Sequence, residues 1–155
     1  MKLKSIALVL TAAASFAAMP IAHAQEGEYG ILMKTLSNPF WGAMGTGVED
    51  GATEAGVKFF SQAVESDQAA EPQLNVCNTM LERNPVAMIT AAINSTNLLP
   101  CLKKAQDSGI PVADLDGNLD PEILKKEGIK IAFQIGSDNV AAGGQGAEYL
   151  VSKLG

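Results

Sequence analysis

The chain has 155 residues, of which 47% are hydrophobic and 18% charged, so its composition suits one globular domain and not a disordered segment. Acidic side chains outnumber basic ones by 17 to 11, and the only arginine is Arg83. Nucleic acids and anionic membranes are bound by clustered Lys and Arg side chains. The charge balance therefore argues against both kinds of partner.

The first 24 residues are predicted to be a secretory signal peptide that is cleaved after Ala24. Lys2 and Lys4 supply a basic start, residues 6–18 form an uncharged apolar run, and Ala22-His23-Ala24 places small residues at the cleavage position. The alternative is a membrane anchor. It is disfavoured because the run is about 13 residues long, whereas a membrane span needs about 20.

Cleavage would also remove the only histidine, His23. The exported chain would then have no histidine base, nucleophile or metal ligand. We expect no catalytic residue, no metal site and no cofactor.

The rest of the chain alternates short apolar runs with helical patterns. The predicted strands cover residues 28–33, 57–64, 86–92, 110–116 and 129–135. The predicted helices cover residues 40–55, 71–83, 97–108, 121–127 and 139–154. This alternation predicts βαβ units with right-handed crossovers. The expected fold class is α/β, a doubly wound parallel sheet of about five strands in flavodoxin-like order.

Ligands of open parallel sheets bind beyond the carboxyl ends of the strands. The segments in that position are residues 34–41, 91–95 and 116–118. Phe40 and Trp41 are adjacent aromatic residues in the first segment. Aromatic rings stack on the C–H face of a sugar, while carboxylate and amide groups bind its hydroxyls. The alternative, left open, is that both rings belong to the core side of the first helix and that Asp116 is a turn residue.

These segments resemble the periplasmic sugar-binding proteins of the ribose/D-allose type, the substrate-binding components of ABC importers. The resemblance begins with Lys34-Thr35-Leu36-Ser37-Asn38-Pro39-Phe40-Trp41 and continues in order through Leu115-Asp116, Leu124-Lys125-Lys126, Ser137-Asp138-Asn139-Val140, Gly143, Gly146 and Tyr149-Leu150. It implies a two-lobed, non-enzymatic periplasmic receptor that closes on a neutral monosaccharide, allose-like or ribose-like. It also implies that the receptor delivers this sugar to the membrane subunits of an ABC transporter.

Carried over by position, the resemblance implies a set of ligand-binding residues. They are Lys34, Asn38, Phe40, Trp41 and Asp116. Further candidates follow the third and fourth predicted strands: Asn94, Ser95 and Asn118.

The family has about twice the length of this chain. The resemblance therefore implies that residues 25–138 form an incomplete N-terminal sugar-binding lobe and that residues 139–155 form the first helix of a missing second lobe. A single wall should bind sugar weakly or not at all, because a closed trap gains affinity by burying its ligand on all sides.

Cys77 and Cys101 lie in consecutive predicted helices. In an oxidising compartment they can pair, which would close a loop of about 25 residues and stabilise the fold by roughly 3 kcal/mol. The alternative is two buried thiols, and we favour the disulfide.

Other functions are less well supported by the sequence. An exported α/β enzyme would use Asp116 as a base with Lys34 as an electrostatic stabiliser. A sugar-responsive transcription regulator would need an N-terminal DNA-binding helix-turn-helix in place of an export signal. Four scattered acidic residues are expected on a solvated face: Asp107, Asp114, Asp120 and Glu122.

Overall fold

A computed structural model describes residues 26–154 as five strands and five helices in strict alternation. The strands are β1 (Glu28–Leu32), β2 (Lys58–Gln62), β3 (Ala87–Thr90), β4 (Val112–Leu115) and β5 (Gln134–Ile135). The helices are α1 (Pro39–Glu54), α2 (Ala70–Leu81), α3 (Leu99–Asp107), α4 (Pro121–Lys126) and α5 (Asn139–Leu154). The predicted signal peptide and its cleavage site lie outside the described residues.

All neighbouring strands are parallel, and their order across the sheet is β2-β1-β3-β4-β5. This is the flavodoxin-like order, so the predicted fold class is confirmed. At the centre of the sheet, Gly30 lies opposite both Phe60 and Met88. A β-carbon at Gly30 would stand 3.2–3.3 Å from those two side chains and from Met80, so the close packing at this position favours glycine.

Helices cover both faces of the sheet. The larger core lies on one face, under α2, α3 and α4. The strands contribute Leu32, Met88 and Val112 to it. On the other face, α1 covers a smaller cluster that includes Ile31, Met33 and Trp41. Successive strand residues point to opposite faces, which explains why Ile31 and Leu32 lie in different clusters.

Cys77 of α2 and Cys101 of α3 are joined by a disulfide, with their α-carbons 6.2 Å apart. Both residues are completely buried in the larger core. The bond links the two crossover helices that pack side by side on the same face of the sheet.

The predicted fifth strand, residues 129–135, is a strand only over its last two residues. Ile129 instead closes the turn after α4, where its N–H donates to the carbonyl of Leu124 and its side chain enters the larger core. The apolar alternation of this segment therefore combines a buried turn with a short strand.

The acidic residues expected on a solvated face divide into two groups. Asp107 is exposed beside Lys103, and Asp120 caps α4 through the N–H groups of Glu122 and Ile123. Asp114 contradicts the expectation, because it lies inside β4 and is fully buried. It is buried because β3 and β5 flank its strand and the turn after β4 folds over it.

Helix α5, described over its whole length, buries none of its residues. Its exposed apolar side chains are Val140, Tyr149, Leu150, Val151 and Leu154. Over residues 26–154, no helix combines the length and the apolar character needed to span a bilayer.

Candidate functional site

The loop between β1 and α1 is fixed by local hydrogen bonds. The side-chain oxygen of Asn38 accepts from the N–H of Phe40 and so caps α1, while Pro39 occupies the first turn. The Asn38 amide also donates to Asp67 in the loop after β2, at 3.2 Å. These contacts fix the start of α1 and with it the position of Phe40.

Three predicted site residues meet at the carboxyl edge of the sheet. Lys34 follows β1, is 7% exposed, and places its Nζ 3.0 Å from Asp116 Oδ2, which follows β4. The Asn118 amide donates to the same oxygen at 3.1 Å and to the carbonyl of Ala92 at 3.0 Å. The ends of β1, β3 and β4 are therefore linked by one polar cluster.

The two aromatic residues have different environments. Trp41 is 3% exposed and packs in the smaller core, whereas Phe40 is 51% exposed. Their rings meet edge to face, with centroids 4.8 Å apart, and Lys34 Nζ lies 4.5 Å from the centroid of the Trp41 ring. The core alternative therefore describes Trp41, and Phe40 is the ring that faces outward.

Asn94 and Ser95 lie in the loop between β3 and α3. The side-chain oxygen of Asn94 accepts from the N–H groups of Thr96 and Asn97, so it organises that loop. No contact joins Asn94 or Ser95 to the cluster around Asp116 among the hydrogen bonds of residues 26–154.

Gln73, in the first turns of α2, is a central residue that the sequence analysis missed. It is fully buried, and its amide donates to the carbonyls of Met33 and Ala91. Its oxygen accepts from the N–H of Ile93 and from the amide of Asn97 at 2.8 Å. The available signal was its position four residues before Cys77, on the buried side of the helix.

Asp114, in β4, is a second buried polar residue near the carboxyl edge of the sheet. Its Oδ2 accepts from the N–H of Leu119 at 3.4 Å and from the Gln134 amide at 3.0 Å. Within the described chain its Oδ1 has no hydrogen-bond partner. Burial raises the pKa of the Asp114 carboxyl above its usual value of 3.8; hydrogen bonds from Gln134 and backbone N–H groups oppose this shift, and the nearby charge of Asp116 adds to it.

An open cleft of about 440 Å³ runs between α1 and the ends of β4 and β5. Its size lies in the range of small-molecule sites, which is about 300–1,000 Å³. Phe40 and Asp116 both line it, together with Met44 and Ile135. Residues 26–154 contain no group of three or more His, Cys, Asp or Glu side chains suited to a metal ion.

Comparison with known protein families identifies the family to which this chain belongs. The model of the periplasmic binding protein domain family matches residues 29–155, which covers every strand residue except Glu28 and every predicted site residue. The chain belongs to this family. The resemblance described from the sequence is thereby confirmed.

Two curated relatives in this family are named for the sugars they bind. The chain is 36% identical over 128 residues to the D-allose-binding periplasmic protein of Escherichia coli, covering 83% of this chain and 41% of that protein. It is 31% identical over 153 residues to the D-ribose/D-allose-binding protein of Pseudomonas aeruginosa, covering 96% and 48%. The chain thus spans less than half the length of these relatives.

Solved structures show the same fold. A periplasmic solute-binding protein of an ABC transporter from Actinobacillus succinogenes, with bound D-allose, superposes with a TM-score of 0.77 at 29% identity, covering 84% of this chain and 45% of that one. A solute-binding protein from Agrobacterium vitis with bound D-fucose gives a TM-score of 0.71 at 28% identity, covering 83% and 43%. Both superpositions cover less than half of the longer chain.

Proposed function

We propose that this chain is part of the substrate-binding component of a bacterial ABC sugar importer and that it binds a neutral monosaccharide of the allose or ribose kind. The observation that carries the proposal is the ion-paired carboxylate of Asp116 beside the exposed ring of Phe40, at the carboxyl edge of the sheet. The names of the relatives, which specify D-allose and D-ribose, support the ligand class.

Each proposed ligand-binding residue has a role that its chemistry supports. A carboxylate accepts several hydrogen bonds, so Asp116 can bind adjacent sugar hydroxyls while it keeps its contact with Lys34. Asn38 and Asn118 each offer an amide that donates and accepts. Phe40 supplies the apolar ring face for the C–H side of the sugar, and Trp41 supports Phe40 from the core.

We propose that these residues form one wall of a two-walled crevice and that α5 belongs to the second lobe. The exposed apolar side of α5 and the share of the relatives that the chain covers support this division at residues 138 and 139. Binding by the one wall should be weaker than micromolar, because a closing receptor gains affinity by burying its ligand between both lobes.

The proposed location is the periplasm after removal of residues 1–24, and the proposed partners are the membrane subunits of the importer. The name of the D-allose-binding periplasmic protein supports the location, and the name of a ribose import binding protein of Bacillus subtilis supports the role in import. Under this proposal the chain binds sugar without converting it. Incubation with glycosides and sugar phosphates should give no product, and measurable turnover that requires Asp116 would favour the enzyme alternative.

A thermal-shift panel of monosaccharides on the full chain tests the ligand class. D-Allose and D-ribose at millimolar concentration should raise the melting temperature, and Asp116→Ala should abolish the rise. Asp107→Ala is the matched control, because it removes an exposed carboxylate outside the cluster. No shift with any sugar, or an undiminished shift in Asp116→Ala, would contradict the proposal. Micromolar affinity measured by calorimetry would contradict the one-wall description.

A further inference from the structure

Asp116 holds its carboxylate at the site from an unfavourable backbone conformation. Its φ of 71° is in the left-handed region, which non-glycine residues rarely adopt, and Gly117 follows with a φ of 64°. Such a turn persists only where surrounding contacts hold it. The direction of the Asp116 side chain therefore depends on what fixes residues 116–119.

The side chains of Asp114 and Gln134 hold the far end of this turn, and their contacts with Leu119 are called the bracket below. Asp114 Oδ2 accepts from the N–H of Leu119, and the Gln134 amide donates both to that Oδ2 and to the carbonyl of Leu119, each at 3.0 Å. Asp114 and Gln134 are direct partners in the pairing of β4 with β5. Both backbone polar groups of the buried Leu119 are thus held by two side chains from neighbouring strands.

A carboxylate is an unexpected choice for this bracket. The contacts to Leu119 and Gln134 need one acceptor oxygen, which a neutral amide supplies without burying a charge. Within the described chain the other oxygen, Oδ1, makes no hydrogen bond, and the residue is completely buried. The backbone N–H of Ala92 is the remaining polar group that favours the charged form, because it lowers the pKa of this carboxyl. The nearby carboxylate of Asp116 adds repulsion.

We propose that Asp114 and Gln134 are positioning residues for the ligand-binding carboxylate: their bracket on Leu119 fixes the turn after β4 and with it the position of Asp116 beside Lys34. Neither side chain touches the ligand in this arrangement. The inference rests on the proposed function for its effect on sugar binding, although its effect on Asp116 does not depend on any sugar.

The only tryptophan gives a readout that works without a ligand. Trp41 has Lys34 Nζ 4.5 Å from its ring centroid, so its fluorescence responds when the pair formed by Lys34 and Asp116 moves. The full chain is measured for Trp41 emission and acrylamide quenching, for melting temperature, and for the D-allose concentration that gives half of the maximal response.

Gln134→Ala removes half of the bracket, and Gln106→Ala is its matched control. The Gln106 side chain also forms two hydrogen bonds with backbone groups: it donates to the carbonyl of Gly128 and accepts from the N–H of Lys130. It has no hydrogen bond with Leu119 or Asp116. We expect Gln134→Ala to shift Trp41 emission and to weaken D-allose binding by roughly tenfold, the scale for a misaligned charged hydrogen bond. Gln106→Ala should lower the melting temperature without either change.

Asp114→Asn separates the bracket from the charge, because asparagine keeps an acceptor oxygen. The charged groups that bear on Asp114 are Asp116 and, through it, Lys34. Asp114→Asn should therefore keep the wild-type Trp41 emission and most of the D-allose binding. Asp114→Ala, which lacks the acceptor, should behave like Gln134→Ala.

Two results would overturn the proposal. The bracket would be merely structural if Gln106→Ala changed Trp41 emission and binding as much as Gln134→Ala did. The positioning role would be wrong if Gln134→Ala and Asp114→Ala both left the Trp41 emission unchanged in folded protein. A Trp41 response to these variants in a chain that binds no sugar would support the bracket and would contradict only the proposed function.

Discussion

The carboxyl edge of the sheet is held by two buried polar side chains that differ in one respect. Gln73, under the ends of β1 and β3, uses both of its amide hydrogens and its oxygen for four contacts. Asp114, under the ends of β4 and β5, uses one carboxylate oxygen and leaves the other without a partner among residues 26–154. The first support is neutral and satisfied, and the second is ionisable and only half satisfied.

This difference predicts how each half of the sheet edge responds to mutation and to pH. Satisfied buried amides stabilise a fold at little cost, whereas a buried carboxylate with an unpaired oxygen lowers stability whenever it is charged. The β1–β3 half should therefore respond to mutation as a structural unit. The β4–β5 half, which carries Asp116, should respond to both mutation and pH.

The largest effect is expected from Gln73→Leu. This change leaves the carbonyls of Met33 and Ala91 and the N–H of Ile93 without their partner in a buried site. Each unpaired group costs about 1–3 kcal/mol, so the loss in the free energy of unfolding should reach at least about 3 kcal/mol in urea denaturation. Gln68→Leu, at an exposed loop position, is the control. A loss no larger than that of the control would contradict the structural role of Gln73.

The next largest effect concerns the disulfide, which lies one helical turn from Gln73. Cys77 and Cys101 are 24 residues apart, so the chain-entropy model assigns their bond about 3 kcal/mol. Replacing both by Ala should lower the free energy of unfolding by that amount, and the variant should no longer respond to dithiothreitol. A wild-type chain whose urea midpoint is unchanged by full reduction would contradict this prediction.

Most of the fold could be predicted from local signals. Asn38-Pro39 marks the start of α1, and the continuous apolar run before Asn94 identifies β3 as a central strand. The five strands and their flavodoxin-like order followed from this alternation. The start of β5 could not be predicted, because Ile129 has the same apolar pattern whether it lies in a strand or closes a buried turn.

The candidate site was predictable only in part, for a similar reason. Position after a strand end was enough to place Lys34 and Asp116 near each other, because parallel strands bring their carboxyl ends to one edge. Burial of Gln73 and Asp114 depends on what folds over them, and single-sequence patterns do not contain that information. Both residues are polar, so composition alone favours a solvated position for each.

A third prediction tests the ionisable half of the edge through stability and pH. The folded state holds the Asp114 proton more tightly than the unfolded chain, because burial raises the pKa of this carboxyl above 3.8. Stability should therefore fall as pH rises from about 3.8 through the folded pKa and then level off. Asp114→Asn lacks this loss, so at pH 7 it should be more stable than wild type.

That advantage should vanish below pH 3.8, where the wild-type carboxyl is neutral in both states. Urea denaturation at pH 3 and pH 7 measures it. Asp107→Asn, at an exposed site, corrects for the change in net charge. An equal difference between Asp114→Asn and wild type at both pH values would show that the charge of Asp114 has no part in the effect.

The smallest effect on stability is expected at the ring that faces the crevice, and it separates ligand contact from support. Phe40 and Phe133 are exposed to a similar extent, at 51% and 54%, so replacing either by Ala should change the free energy of unfolding by no more than about 0.5 kcal/mol. Only Phe40 borders the Asp116 cleft and contacts Trp41. Phe40→Ala should therefore remove the D-allose thermal shift, whereas Phe133→Ala should keep it. Equal sugar responses in the two variants would mean that the exposed ring of Phe40 takes no part in binding. The binding site would then consist only of its polar groups, which the β1–β3 and β4–β5 halves of the sheet edge hold in place.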